Sequence, residues 1–160
     1  MVSISVFKQL NFRGLSVICI LLGSCLMISC GTSQEVVDPE ARLIQQFQRW
    51  EGTPYRLGGN NRRGVDCSAF VQIVMNNAFG VTIPRTTREQ LVHGNRINPR
   101  SARLGDLVFF QTGRTTYHVG IIMRGDFFMH ASTSRGVTID RLSEPYWQQQ
   151  IIQFRRMTSL

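Results

Sequence analysis

Hydrophobic residues fall along this chain in three regimes. Residues 15–28 are almost wholly apolar and follow a polar start carrying Lys8 and Arg13. A run of about 14 apolar residues is short of the roughly 20 needed to cross a bilayer as a helix. It ends in small residues and cysteines, the form of a cleaved leader. The second regime has helical spacing. Leu43, Ile44, Phe47 and Trp50 recur behind Asp38-Pro39 and stop before Gly52, which predicts a first helix. Residues 52–64, rich in Gly, Asn and Arg, read as a loop. Residues 67–79 predict a second helix with Ala69, Phe70, Ile73, Val74 and Ala78 as its apolar stripe, Cys67 in its first turn and Gly80 as its stop. Residues 84–92 predict a short third.

After Gly105-Asp106 the pattern shortens to strand length. Residues 107–110 form a continuous apolar run, which predicts a strand buried on both faces. Residues 119–123 and 127–131 are two more, joined across Arg124-Gly125-Asp126, followed by strands at 136–140 and 151–155. The Arg-Gly-Asp tripeptide is explained by the Gly-Asp turn. Helices first and strands afterwards predict an α+β fold with a mainly antiparallel sheet. The expected organisation is a leader over 1–30, a polar tether over 31–38 and one domain over 39–157. At 160 residues, 42% hydrophobic and 18% charged, the composition is that of a globular domain with a core.

Cysteine usage then separates the leader from the domain. Of Cys19, Cys25, Cys30 and Cys67, only Cys67 lies beyond the leader. Both Leu22-Gly23-Ser24-Cys25 and Met27-Ile28-Ser29-Cys30 resemble the lipobox of bacterial lipoproteins, in which the cysteine becomes the lipidated N-terminus. Cys30 is the preferred anchor because Gly31, Thr32, Ser33 and Gln34 then supply a small polar tether, and Cys25 is the alternative. Gly31 after the cysteine, rather than Asp, implies outer-membrane sorting by the rule of that lipoprotein class. One unpaired thiol in an exported domain is either incidental or a reactive group. The chain carries a net charge of +8, and without Lys8 and Arg13 it has sixteen arginines against ten acids, a charge of +6. That balance suits an anionic partner. Export, and the lack of an aromatic-interleaved basic stripe, argue against nucleic acid.

A cysteine attacks as thiolate, and the first turn of a helix stabilises that anion through free N–H groups and the helix dipole. Cys67 has this placement, with neighbouring N–H groups available for an oxyanion. Three histidines are available as base. His93 sits among turn residues and reads as a surface side chain. His118 and His130 lie in or beside adjacent apolar strands, where histidine is unusual unless hydrogen-bonded or functional. One would be the base and the other its orienting partner. The rival chemistry is a zinc site with Cys67, His118 and His130 as ligands, ranked lower because Asp66, Asp106 and Asp126 are explained by caps and turns.

Strand parity sets a geometric condition. A two-residue turn at Gly125-Asp126 would pair Arg124 with Phe127, place His130 opposite Ile121 and turn His118 to the other face. A three-residue loop over 124–126 pairs Met123 with Phe127 and places His130 opposite Gly120, on the face of His118. The expectation is an odd-length loop or a bulged turn, with room left by Gly120 and Cys67 approaching from its helix start.

Six segments in order resemble the NlpC-type family of papain-like cell-wall endopeptidases: Gly52-Thr53-Pro54-Tyr55-Arg56-Leu57-Gly58-Gly59, Gly64-Val65-Asp66-Cys67-Ser68-Ala69-Phe70, Pro84-Arg85-Thr86-Thr87-Arg88-Glu89-Gln90, Gly105-Asp106-Leu107-Val108-Phe109-Phe110, His118-Val119-Gly120-Ile121 and His130-Ala131-Ser132. The resemblance implies a papain-like fold with Cys67 as nucleophile, His118 as general base and His130 orienting it. Tyr55 and Ser68 would support the oxyanion or substrate, and Tyr55 alternatively reads as a core aromatic. Arg85 and Arg88 would pair with stem-peptide carboxylates or stay solvated. Ala69 departs from the family's usual glycine. The implied substrate is a peptidoglycan stem peptide, cut between D-γ-glutamate and the diamino acid or at the cross-link between D-alanine and the diamino acid. No cofactor is implied, and the expected protein is a monomer tethered to a membrane by lipid. The opposing reading is a catalytically silent envelope lipoprotein that binds peptidoglycan on the same fold.

Overall fold

The computed structural model describes residues 38–157. The leader, Cys30 and nearly all of the tether lie outside the described residues. Helix α1, Pro39–Trp50, starts where Asp38 caps the N–H of Glu40 and a proline takes the first position. It buries Leu43, Gln46 and Trp50. Ile44, expected on the apolar stripe, is instead 41% exposed, because one residue past Leu43 rotates it about 100° off the buried line. Helix α2, Cys67–Phe79, is capped by Asp66 and ended by Gly80 in the left-handed conformation. Eight of its residues are buried, including Val71 and Met75 outside the expected stripe, since α2 is the central helix.

The expected loop over 52–64 carries a small hairpin, β1 Asn60–Asn61 and β2 Gly64–Val65. Helix α3 is shorter than expected, Thr87–Gln90, begun by a capping box between Thr86 and Glu89. The main sheet has strands β3 Asn95–Ile97, β4 Leu107–Gln111, β5 Tyr117–Ile122, β6 Phe127–Ser132, β7 Gly136–Arg141 and β8 Ile151–Arg156. Their order is β3-β8-β4-β5-β6-β7, with antiparallel pairing throughout. This is the α+β architecture expected. Strand β3, a 3-10 turn at Pro99–Ser101 and helix α4, Pro145–Gln150, were not foreseen. Elements of three to six residues with one or no buried side chain carry no readable period.

Alternation along the strands divides the core in two. Leu107, Phe109, Val119, Ile121, Met129 and Ala131 pack with α1 and α2, and Val108, Phe110, Ile122, Phe128 and Phe154 pack with Trp147 of α4. Fully burying an apolar side chain of this size contributes roughly 1.5–3 kcal/mol. The loop before β1 docks on β7 by reciprocal backbone bonds, Gly52 N–H to Val137 C=O (3.0 Å) and Val137 N–H to Thr53 C=O (3.0 Å). Gly136 has a positive φ, and a Cβ there would collide with the Thr53 carbonyl. That docking brings Tyr55 to the start of α2.

Candidate active site

The first turn of α2 is held by one carboxylate. Asp66 Oδ1 accepts from the Ala69 N–H (2.8 Å) and Ser68 Oγ (3.0 Å), and Oδ2 from the Gly58 N–H (2.9 Å). Arg85 grips both oxygens through Nη1 (2.9 Å) and Nη2 (2.8 Å). Burial alone would raise the Asp66 carboxyl, but Arg85 and these donors outweigh it and hold it below its ordinary value. Arg85 also donates to Ser68 Oγ (3.0 Å) and the Gly59 carbonyl (3.3 Å). Its donors are therefore engaged in holding the helix start, and the Ser68 hydroxyl, both donor and acceptor, belongs to the same scaffold.

Cys67 is buried between this scaffold and the sheet. Its sulfur lies 3.5 Å from Thr87 Oγ1. Burial pushes the thiol up from its ordinary value, and Thr87 and the backbone N–H groups of Val119 and Ser68 pull the other way. The Val119 N–H is available because the β5–β6 ladder pairs Ile121 with Met129 and Ile122 with Phe128 and runs no further. The start of α2 meets β5 where the ladder has opened, at the junction of His118 and Val119.

Across that opening the side chains carry the connection. Met123 N–H bonds the Phe127 carbonyl (2.8 Å) around a three-residue loop, Arg124 to Asp126, and the register continues through Ile121 and Met129. It projects His130 opposite Gly120, on the face of His118. His118 Nε2 and His130 Nδ1 are 2.8 Å apart. The space at Gly120 serves differently from the expectation: a Cβ there would strike the Phe128 ring, not the imidazoles.

The relay continues to a residue that sequence reading overlooked. His130, with no exposed surface, places Nε2 3.0 Å from Asp140 Oδ2. The same oxygen accepts from Trp147 Nε1 (3.0 Å) and Arg135 Nη2 (2.6 Å), and the latter nitrogen also reaches Oδ1 (2.7 Å). Burial alone would raise Asp140, yet these three donors hold it far below the usual carboxylate range. An ionised carboxylate only accepts, so the network assigns a proton to His130 Nε2 and leaves Nδ1 to accept from His118. His118 must then donate from Nε2, which frees its Nδ1 lone pair. Burial, followed by repulsion from His130, pushes the His118 imidazole down to about 3 against the opposing pull of Asp140. Trp147 stacks on His118 with ring centroids 5.6 Å apart and covers the relay.

Tyr55 is half-buried and bridged in parallel to Val65. Burial, then the negative charge of Cys67 and of Asp66, pushes its phenol up to about 12, so it stays a donor. Two cavities flank the site. One of about 630 Å³ runs past Asp66, Ser68, Arg85 and Thr87 to Arg88 and Tyr117. Arg88 there donates to the Thr115 carbonyl (3.1 Å) and lies 5.4 Å from the Tyr117 ring centroid. The other, about 380 Å³, is lined by His118, Arg135, Asp140 and Trp147. His93 is exposed. Among the described residues no group of three or more His, Cys, Asp or Glu could hold a metal ion. Thr87 escaped sequence reading because it looks like a helix start. Asp140 carried a usable signal, an acid at an even position on a strand whose even positions share the face of His130 through the Thr138 pairing.

Residues 52–156 match the NlpC/P60 family. The murein DD-endopeptidase MepS/murein LD-carboxypeptidase of Escherichia coli is 44% identical over 123 residues, covering 77% of this chain and 65% of that protein. The probable endopeptidase NlpC of Escherichia coli is 40% identical over 151 residues, covering 87% and 98%. Among solved structures, a protein from Staphylococcus aureus described as similar to lipoprotein, NLP/P60 family, superposes with a TM-score of 0.66 at 34% identity, covering 74% of this chain and 41% of that one. The chain thus spans about two thirds of the MepS relative. Together with the papain-like arrangement of a cysteine-bearing helix start against a histidine-bearing antiparallel sheet, these matches place the chain in the NlpC/P60 family.

Proposed function

We propose that the protein is a thiol peptidase of the cell envelope that hydrolyses amide bonds in peptidoglycan stem peptides, with Cys67 as nucleophile. The observation that carries this reading is the buried relay His118–His130–Asp140, which leaves the Nδ1 lone pair of His118 free, next in the chain to Val119, whose N–H favours the Cys67 thiolate. His118 takes the thiol proton, and the thiolate attacks the amide carbonyl carbon. The Ser68 N–H and the Tyr55 hydroxyl, whose phenol feels the charge of Cys67, donate to the oxyanion. His118 returns the proton to the leaving nitrogen as the C–N bond breaks, and water then cleaves the thioester by the same base. Asp140 and His130 hold the tautomer that makes His118 a base. The alternative of a silent binding lipoprotein is disfavoured, because binding alone has no use for such a relay.

Similarity to the Escherichia coli murein DD-endopeptidase favours the cross-link between D-alanine and the diamino acid as the bond cut. Digestion of purified, cross-linked sacculi should convert dimeric muropeptides to monomers. Release of disaccharide dipeptides, with stems cut after the D-γ-glutamyl residue, would move the bond to that linkage, and no change at all would leave the silent reading.

Membrane attachment through lipidated Cys30, on the outer membrane and facing the murein, completes the reading. A Cys30→Ala variant should lose incorporation of a palmitate analogue. Undiminished label would transfer the anchor to Cys25.

A further inference from the structure

The two cavities divide the substrate between them. A general acid hands its proton to the leaving nitrogen, so the residue on the amine side of the scissile bond must lie against the ring of His118. The cavity of about 380 Å³ has His118 in its wall, whereas the larger one opens beside Asp66, Ser68 and Arg85 at the nucleophile's helix start. A volume of that order accommodates one amino-acid-sized group. Ser132, Ser134, Arg135, Asp140, Glu144 and Tyr146 are among the other residues that line it.

We propose that this cavity binds the amine-side residue of the substrate and that Arg135 recognises a free carboxylate on it. Arg135 is 54% exposed at its side chain, yet its guanidinium is fixed: Nη2 alone makes both bonds to Asp140. Nη1 and Nε take no part in those bonds and remain to meet a carboxylate, and the tie to Asp140 reduces the rotamer freedom lost on binding. Asp140 and Glu144 line the same space and both act on the charge of Arg135, which among the described residues is the one cation of this lining. An arginine with Nη1 and Nε still open fits a diamino acid that leaves with its own α-carboxylate unblocked. In an ordinary polypeptide that carboxyl is consumed by the next peptide bond. The cavity therefore selects for a cross-link to a diamino acid over a linear chain.

This inference rests on the endopeptidase reading, and a substrate pair separates the two. One is a stem-peptide dimer joined through D-alanine to a diamino acid with a free α-carboxylate, and the other is the same dimer with that group as carboxamide. The wild-type protein should cleave the free acid with a kcat/KM at least about tenfold higher, as a lost charge-assisted hydrogen bond implies. In Arg135→Ala the two should come within about twofold of each other. Any weakening of Asp140 in the variant slows both substrates alike and cancels in the ratio. A wild-type ratio near one, or a ratio that survives in Arg135→Ala, overturns the assignment. If the wild-type protein cleaves neither dimer but shortens monomeric stems, the bond has been misread and this assignment falls with it. No cleavage of any stem peptide sinks the peptidase reading itself.

Discussion

A Cys67→Ala variant should release no muropeptides from sacculi, a fall of at least about 10⁴-fold, while remaining folded. The size follows from the chemistry, since without the sulfur no covalent intermediate forms, and a binding site with oxyanion donors alone retains only a small residue of catalysis. The fold should survive because the scaffold that positions Cys67 does not depend on it. Asp66 is bonded to Ala69, Ser68, Gly58 and Arg85, none of which passes through the thiol. The lost burial of one small side chain costs about 1–2 kcal/mol, within the stability of an ordinary domain. Thermal denaturation and pelleting with sacculi should therefore show a folded protein that still binds murein. Release at the wild-type rate would exclude the thiolate mechanism.

Asp140→Asn should lower kcat by about 10²- to 10⁴-fold with KM changed much less. The carboxamide has a donor as well as an acceptor, and when its NH₂ faces His130 Nε2 the relay reverses: His130 donates from Nδ1, His118 accepts at Nε2, and the proton sits on the nitrogen that should be the base. A carboxylate-to-amide change behind a catalytic histidine has an effect of this size in serine peptidases. The readout that separates this role from loss of fold is alkylation of Cys67 by iodoacetamide, which should slow in parallel with kcat while far-UV circular dichroism is unchanged. Undiminished kcat would show that the relay ends at His130.

The extended patterns were the legible part of this molecule. Helix α2 was read with both ends as observed, because Asp66 and Gly80 are caps with a direct mechanism and the segment between is long enough for a period to emerge. Parity arithmetic across Arg124 to Asp126 correctly required an odd loop for His118 and His130 to share a face, since a slip of one residue exchanges the faces. What parity did not reveal is that the ladder opens beyond Ile121, which is the feature that exposes the Val119 N–H to Cys67. That opening is made by packing α2 against the sheet, and no local signal encodes it. Arg85 illustrates the same limit. Its position beside the cleft suggested a substrate contact, but three-dimensional proximity to Asp66, nineteen residues earlier in the chain, gives it a structural partner. Asp140 and Trp147 were missed for the opposite reason, being a residue at a strand end and one on a six-residue helix that only the sheet brings to His130.

The central claim, a thiol peptidase working on murein, is tested most directly by treating the purified protein with iodoacetamide or with EDTA before adding cross-linked sacculi and separating the released muropeptides. Alkylation of Cys67, verified as a single mass addition on the peptide containing it, should abolish release, and EDTA should leave release at the untreated rate. Release that survives complete alkylation of Cys67, or that disappears with EDTA alone, would contradict it.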